Sequence, residues 1–541
     1  MVNLEAYDKL DVRLLNIDEV LRRADEPYAL SCLWLYSGQC SSSHLIYKQS
    51  AIDWKVNRMP HPADYSMLIN QKAPAPTPEI ARMIQRLQTE YLIGEPAEEL
   101  SLVRKQEGKW HQLSAALRSS RLLLQGPEAF KTAILQSPDE SERKLLYQEK
   151  NSTSREFAAA FLEVRDARNS YAQAKGFADF YQMMLNTRFG LTAKQVDRDL
   201  ERLQEACSPW IQHLESKMKA FVKSDSIPDY NYRYYWAAIL KGSFPEFTGQ
   251  TYENVKISIE KLFGKLGLMP EFRSTYIEDE PRPAKSQAGT IPSEQLPHSA
   301  NNAYVFYDKS LMTIKNITDI LHELFHGIHL ASMNQLLPYI LRKPLLGDEI
   351  LSEMPAVFGE QYILDILFPG NPSVDMLDGY EAFSMLSQMT IWTNTLASLR
   401  LEKFIYDQSS STIDDINQIY LQIKKELFPS IAEAPEGIYE WANNIYIWLY
   451  PVYTPGHFYA GMLAKQIRRY GEKKFGSIRN PRFIKWFKQK FLATGFSQDW
   501  QDLLLQATGK SFSPDYFFSD ANSQLPKLEG SIFPLSQPKG L

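Results

Sequence analysis

Ile317-Thr318-Asp319-Ile320-Leu321-His322-Glu323-Leu324-Phe325-His326-Gly327-Ile328 is the stretch on which the reading of the chain turns. Ile317, Leu321, Leu324 and Ile328 recur at i, i+4, i+7 and i+11, the pattern of a helix with one buried face. Asn316 or Thr318 is expected to cap its start. His322 and His326 stand four residues apart, so on that helix their side chains lie one above the other. Two imidazoles so placed can both reach one metal ion at the about 2.0–2.1 Å of a zinc–nitrogen bond. Glu323 sits next to His322 and about 100° round the helix, given about 3.6 residues per turn. A carboxylate there is placed to touch a water near the metal and not the metal itself. Three of the nine histidines, His322, His326 and His329, fall within eight residues.

Outward from the motif the chain reads mostly as helix. From Ser154 to Lys175, Phe157, Phe161, Val164 and Tyr171 recur at helical spacing, with Ser154 as the expected N-cap and Gly176 as the stop. From Ala193 to Lys223, Val196, Leu200, Leu203, Cys207 and Trp210 form a second stripe. The best strand is Ala303–Tyr307, rich in aromatic and branched residues, and it is expected to offer its edge to an extended peptide. Pro-rich runs at 72–78 and 280–297 read as a linker and a long loop, and the residues after Gly509 as a surface tail. The fold class expected is mainly α with a small β-sheet beside the motif helix. The divisions expected are a helical N-terminal region at 1–138, a catalytic region at 139–508 and a tail at 509–541.

Composition narrows the function. The 541 residues are 44% hydrophobic and 23% charged, the balance of a soluble globular protein. Fifty-nine Lys and Arg against 64 Asp and Glu give a net charge of -5, without the basic excess of a nucleic-acid binder. No apolar run is long enough to span a bilayer, Tyr28 to Tyr36 being among the longest, and the N-terminus lacks a signal-peptide core. A cytoplasmic protein with no nucleic-acid or membrane partner is expected. Cys32, Cys40 and Cys207 form neither a disulfide framework nor a thiolate zinc site, although a Cys32–Cys40 bridge is left open.

A catalytic zinc needs a third protein ligand and an open position. On spacing alone Glu353 can supply it from a following helix, and Asp348, Glu349 and Glu360 compete.

The run His322-Glu-x-x-His326-x-x-His329, followed by Glu353-Met354-Pro355-Ala356 and Glu360, resembles the thimet oligopeptidase and oligoendopeptidase F family of zinc metallopeptidases. Arg165-Asp166-Ala167-Arg168-Asn169, with Gly176-Phe177 and Phe180-Tyr181, looks like the helix pair before the catalytic region in that family and in its angiotensin-converting-enzyme-like relatives. The resemblance spans Asp139 to Lys485. It implies a two-lobed helical fold around a deep central channel. It implies that His322, His326 and Glu353 bind one Zn²⁺, that Glu323 is the general base toward a zinc-activated water, and that Glu360 partners the ligands from behind. His329 would be a non-ligand histidine that orients the site. Substrates would be short oligopeptides, cut internally by a monomer or simple homodimer. End trimming by the same metal chemistry, and a helical scaffold that keeps a decayed zinc site, are the alternatives.

Two departures stand out. The family has Gly before its second zinc histidine, where this chain has Phe325, a ring expected to crowd the metal or line the substrate groove. Toward the C-terminal end the family supplies His and Tyr to the tetrahedral intermediate. The stretch Tyr446 to Gly461 is similar in Tyr density, but its histidine is displaced. Tyr453 and His457 are the expected oxyanion donors, with Tyr450 and Tyr459 in reserve.

Overall fold

The structure is a computed structural model, and it describes residues 81–87, 133–134, 137–232, 234–236, 251–280, 288–292, 303–307, 309, 314–342, 344, 347–368, 374–432 and 436–529. The Tyr28–Tyr36 run, Cys32, Cys40, the 72–78 linker and most of the 1–138 region lie outside them. The described residues are mainly helical, with one small sheet. No described helix is long and apolar enough to cross a membrane. The chain divides into two compact units, one of Met1–Gly94, Gly249–Asn371 and Tyr459–Tyr516, the other of Glu95–Thr248, Pro372–Phe458 and Phe517–Leu541.

The first unit holds the sheet and the motif helix. Strands β1 (Thr275–Glu278), β2 (Ala288–Pro292) and β3 (Ala303–Tyr307) run in the order β1-β3-β2, with β1 parallel and β2 antiparallel to β3. β3 is therefore the middle strand, and its backbone groups are taken on both sides. The expectation that it would pair with a peptide is corrected: among the described strands the free edges belong to β1 and β2. β2 lies inside the 280–297 stretch read as a loop. Its five residues include a Gly and a Pro, which mask strand character in a sequence. A Cβ at Gly289 would collide with the Phe306 ring of the paired strand, so this β2 position accommodates only glycine without a shift.

The motif helix runs from Ile314 to Ser332, and Ile317, Leu321, Leu324 and Ile328 are all buried. It begins two residues before Asn316, so neither Asn316 nor Thr318 caps it. Thr318 Oγ1 instead donates back to Ile314 O at 2.9 Å, the inward bond a hydroxyl makes within a helix. Gly327 lies tight against the sheet, where a Cβ would stand 3.0 Å from Thr275 Cγ2 and 3.3 Å from Val305 Cγ2. The helix Glu349–Glu360 packs along its other side.

In the second unit the two expected stripes are found. Helix Ser154–Ala174 buries Phe157 and Phe161 against Trp448, and Phe161 also meets Trp441. Ser154 is the first helical residue and not the cap; its hydroxyl donates to Asn151 O at 2.7 Å. Gly176 does follow the helix with φ +89°. Helix Ala193–Val222 buries Val196, Leu200, Leu203, Cys207 and Trp210. Beyond Gly509, where a surface tail was expected, helix Asp515–Glu529 buries Phe517 against Trp392 and sets Phe518 under the Arg202 guanidinium. Aromatic burial of that kind outweighs the helix-weakening effect of its Pro526.

Candidate metal centre

The motif helix and helix Glu349–Glu360 bring three side chains together. His322 Nε2 lies 3.2 Å from His326 Nε2, and Glu353 Oε2 lies 3.3 Å from the first and 3.5 Å from the second. All three donor atoms fall within 4.8 Å of one another. The imidazole rings stand nearly perpendicular, at 80°. The two histidines are half-buried and Glu353 is buried.

Behind the cluster, His322 Nδ1 meets Glu360 Oε1 at 2.7 Å. An ionised carboxylate only accepts, so Nδ1 carries the proton and Nε2 presents a lone pair toward Glu353 and His326. Three lone-pair atoms within 3.5 Å of one another repel unless a proton or a cation sits among them. The titration of His322 points the same way. Burial is the largest influence and pushes its pKa down, yet hydrogen bonds to Glu353 and Glu360, together with the charges of Glu360 and Glu323, outweigh it, and the net shift is well upward. Carboxylates that hold a proton on this ring would equally favour a metal cation, and a two-imidazole, one-carboxylate donor set suits zinc. The residues present therefore fit the ion.

Glu323 stays out of the cluster. Its Oε2 accepts a hydrogen bond from Thr290 Oγ1 on β2 at 2.8 Å, and the same hydroxyl lies 2.9 Å from the Glu323 carbonyl. Thr290 could not be found from the sequence, because it sits in the Pro- and Gly-bearing stretch read as loop. Its strand places it, through pairing with Val305 of β3.

The other acids near Glu353 are engaged elsewhere. Asp348 takes both terminal nitrogens of Arg86, each at 2.8 Å, in a buried bidentate pair. Glu349 Oε2 accepts the Gly347 N–H at 2.8 Å. His329 is buried beside the Phe496 ring, and among the described residues no hydrogen-bond partner meets its Nε2. Burial, helped by the nearby His326, pushes its pKa down to about 3, so it stays neutral.

Phe325 neither crowds the metal cluster nor lines a groove, which corrects that expectation. It is 1% exposed, stacks on Tyr362 at 5.7 Å and 11°, and packs on Phe263. Its ring covers Gly359 so closely that a Cβ there would collide with it. The small residue that lets the two helices approach lies on the partner helix here, and the ring fills the space.

Tyr453 and His457 belong to the second unit. Their rings lie 5.0 Å apart, with Tyr446 stacked on Tyr453 at 5.7 Å and Tyr450 at 6.0 Å. Both are half-buried, as is Tyr450. Tyr459 is fully buried between Trp500 and Phe512, and it serves packing.

No family model matches the chain, and no curated protein matches its sequence. Solved structures do. A PZ peptidase A determined with an inhibitor is 13% identical with a TM-score of 0.68, over 98% of each chain. A protein described as an oligoendopeptidase F is 13% identical with a TM-score of 0.67, over 97% of each chain. At that identity the likeness is one of fold alone.

Proposed function

We propose that the chain is a zinc-dependent peptidase that hydrolyses internal bonds of short oligopeptides. The observation that carries this reading is the convergence of His322, His326 and Glu353 with Glu323 beside them and outside the cluster. A scaffold that needed only a structural ion would have no use for a carboxylate in that place.

His322, His326 and Glu353 would hold the ion. When bound, it supplies Lewis-acid chemistry, making a water more acidic and polarising a peptide carbonyl. Glu360 holds His322 in the tautomer that presents Nε2. Glu323 accepts the proton of the attacking water and delivers it to the leaving amine. The Thr290 hydroxyl steers the Glu323 carboxylate from β2. The outer edge of that strand is suited to pair with an extended peptide backbone, which binds substrate with little demand on its side chains. Tyr453 and His457 carry the O–H and N–H donors assigned to the developing oxyanion, each such donor being worth about 2.7–4 kcal/mol.

The test is mass-spectrometric cleavage of a mixed oligopeptide library with added zinc, wild type beside Glu323→Gln. Wild-type cleavage at internal bonds, reduced by about 10²–10⁴ in the variant, is the expected result. Intact peptides in both samples would sink the reading in favour of a scaffold. Cuts confined to chain ends would replace internal cleavage by trimming.

A further inference from the structure

Among the described residues two that are not glycine have positive φ, Lys223 at 55° and Val452 at 54°. Lys223 is a helix C-cap, where the left-handed conformation is ordinary. Val452 is a different case. It is β-branched and fully buried, and it sits in the turn between helices Ile445–Leu449 and Thr454–Phe475. For such a residue the left-handed region is a genuine outlier that persists only when its surroundings over-determine it.

Those surroundings are charged side chains. The Val452 N–H donates to Glu402 Oε1 at 2.8 Å. Arg188 Nη1 donates to the Pro451 carbonyl at 2.8 Å. One turn earlier, Arg168 donates to the carbonyls of Ile447 at 3.0 Å and Trp448 at 2.6 Å. All three side chains are buried, and they come from three different helices. Burial pushes the Glu402 carboxyl up to about 7, against the pull of the Val452 N–H and the two guanidinium groups. A turn that needed only packing would not keep so costly a group beneath it.

We propose that Glu402 and Arg188 clamp the left-handed turn at Val452 and thereby fix where Tyr453 and His457 are presented, which makes Glu402 a positioning residue for that donor pair. Its catalytic consequence rests on the peptidase reading above. Tyr453 is the next residue after Val452, and its ring lies 5.9 Å from the Arg188 guanidinium and 5.0 Å from His457. A change of backbone at Val452 therefore displaces the phenol directly.

The experiment measures amide exchange over residues 450–457 and peptide-cleavage kinetics in the full chain, for wild type, Glu402→Ala, Glu402→Gln and Arg188→Met. Gln keeps a carbonyl oxygen for the Val452 N–H, and Arg188→Met releases the same turn from the other side should Glu402→Ala fail to fold. Expected is exchange faster by about fivefold or more in Glu402→Ala and Arg188→Met, with Glu402→Gln close to wild type. In the same two variants kcat falls by about tenfold or more while KM stays within about twofold, and Glu402→Gln recovers most of the loss. Unchanged exchange in both releasing variants, or an unchanged kcat in them, overturns the proposal. A wild type that cleaves no peptide sinks the peptidase reading by itself, and the exchange comparison then decides the clamp alone.

Discussion

The donor atoms around His322 are placed by regular secondary structure, whereas Tyr453 and His457 follow a turn that runs against backbone preference. In the first region two helices with ordinary dihedrals carry every group: His322, Glu323 and His326 on one, Glu353 and Glu360 on the other. In the second, a buried carboxylate and the Arg188 guanidinium bracket a β-branched residue at positive φ. A site set by helical periodicity is built into the spacing of its residues. A site set by an unfavoured turn depends on side chains far away in sequence, Glu402 lying 50 residues before its partner Val452.

The largest effect that would sharpen this contrast is expected at Glu353. Glu353→Ala removes one of three converging donors while leaving the histidine pair on its helix. The variant is expected to lose bound zinc on equilibrium dialysis and peptide cleavage with it, because a two-donor site is short of the three ligands of catalytic zinc centres. Zinc retained at one per chain in Glu353→Ala would transfer the third-ligand role to another acid and break the comparison at its better-defined end.

Tyr453→Phe is expected to act differently. It removes a hydroxyl and keeps the ring that packs on Tyr446 and His457. Zinc content should be unchanged while kcat falls by about 10²–10³, the loss typical of a single oxyanion donor. A variant as active as wild type would return Tyr453 to the packing role that Tyr459 has.

What was legible follows the same division. The helix over Ile314–Ser332, its buried face, the helical stripes of the second unit and strand Ala303–Tyr307 all announce themselves through local spacing. The mainly α fold with a small sheet beside the motif helix followed from them. β2 did not, because five residues with a Gly and a Pro carry too little pattern, and with it went Thr290. Neither did the middle position of β3, since strand order is a matter of long-range pairing. The left-handed turn was invisible because a Val signals extended backbone. The direction of Phe325 was misjudged because its partner, Gly359, lies on the next helix, and no periodicity links the two.

That last pair carries the smallest expected effect and separates packing from chemistry within the better-defined region. A methyl group added at Gly359 would meet the Phe325 ring, which is stacked on Tyr362 and packed against a tilted Phe263 ring. Gly359→Ala should therefore destabilise the fold by about 1–3 kcal/mol, the usual cost of overpacking a filled core. Phe325→Ala alone should cost about 3–5 kcal/mol through the cavity it leaves. In the double variant the added methyl no longer meets a ring, so the combined loss in denaturant unfolding should fall short of the sum by about 0.5–3 kcal/mol, as residues in contact do. Zinc content should stay at the wild-type value in all three variants, because Phe325 turns away from the face that carries His322 and His326. Loss of zinc in Phe325→Ala, with folding intact, would mean that the ring supports the metal cluster after all, and the two functions of this helix pair would no longer be separable.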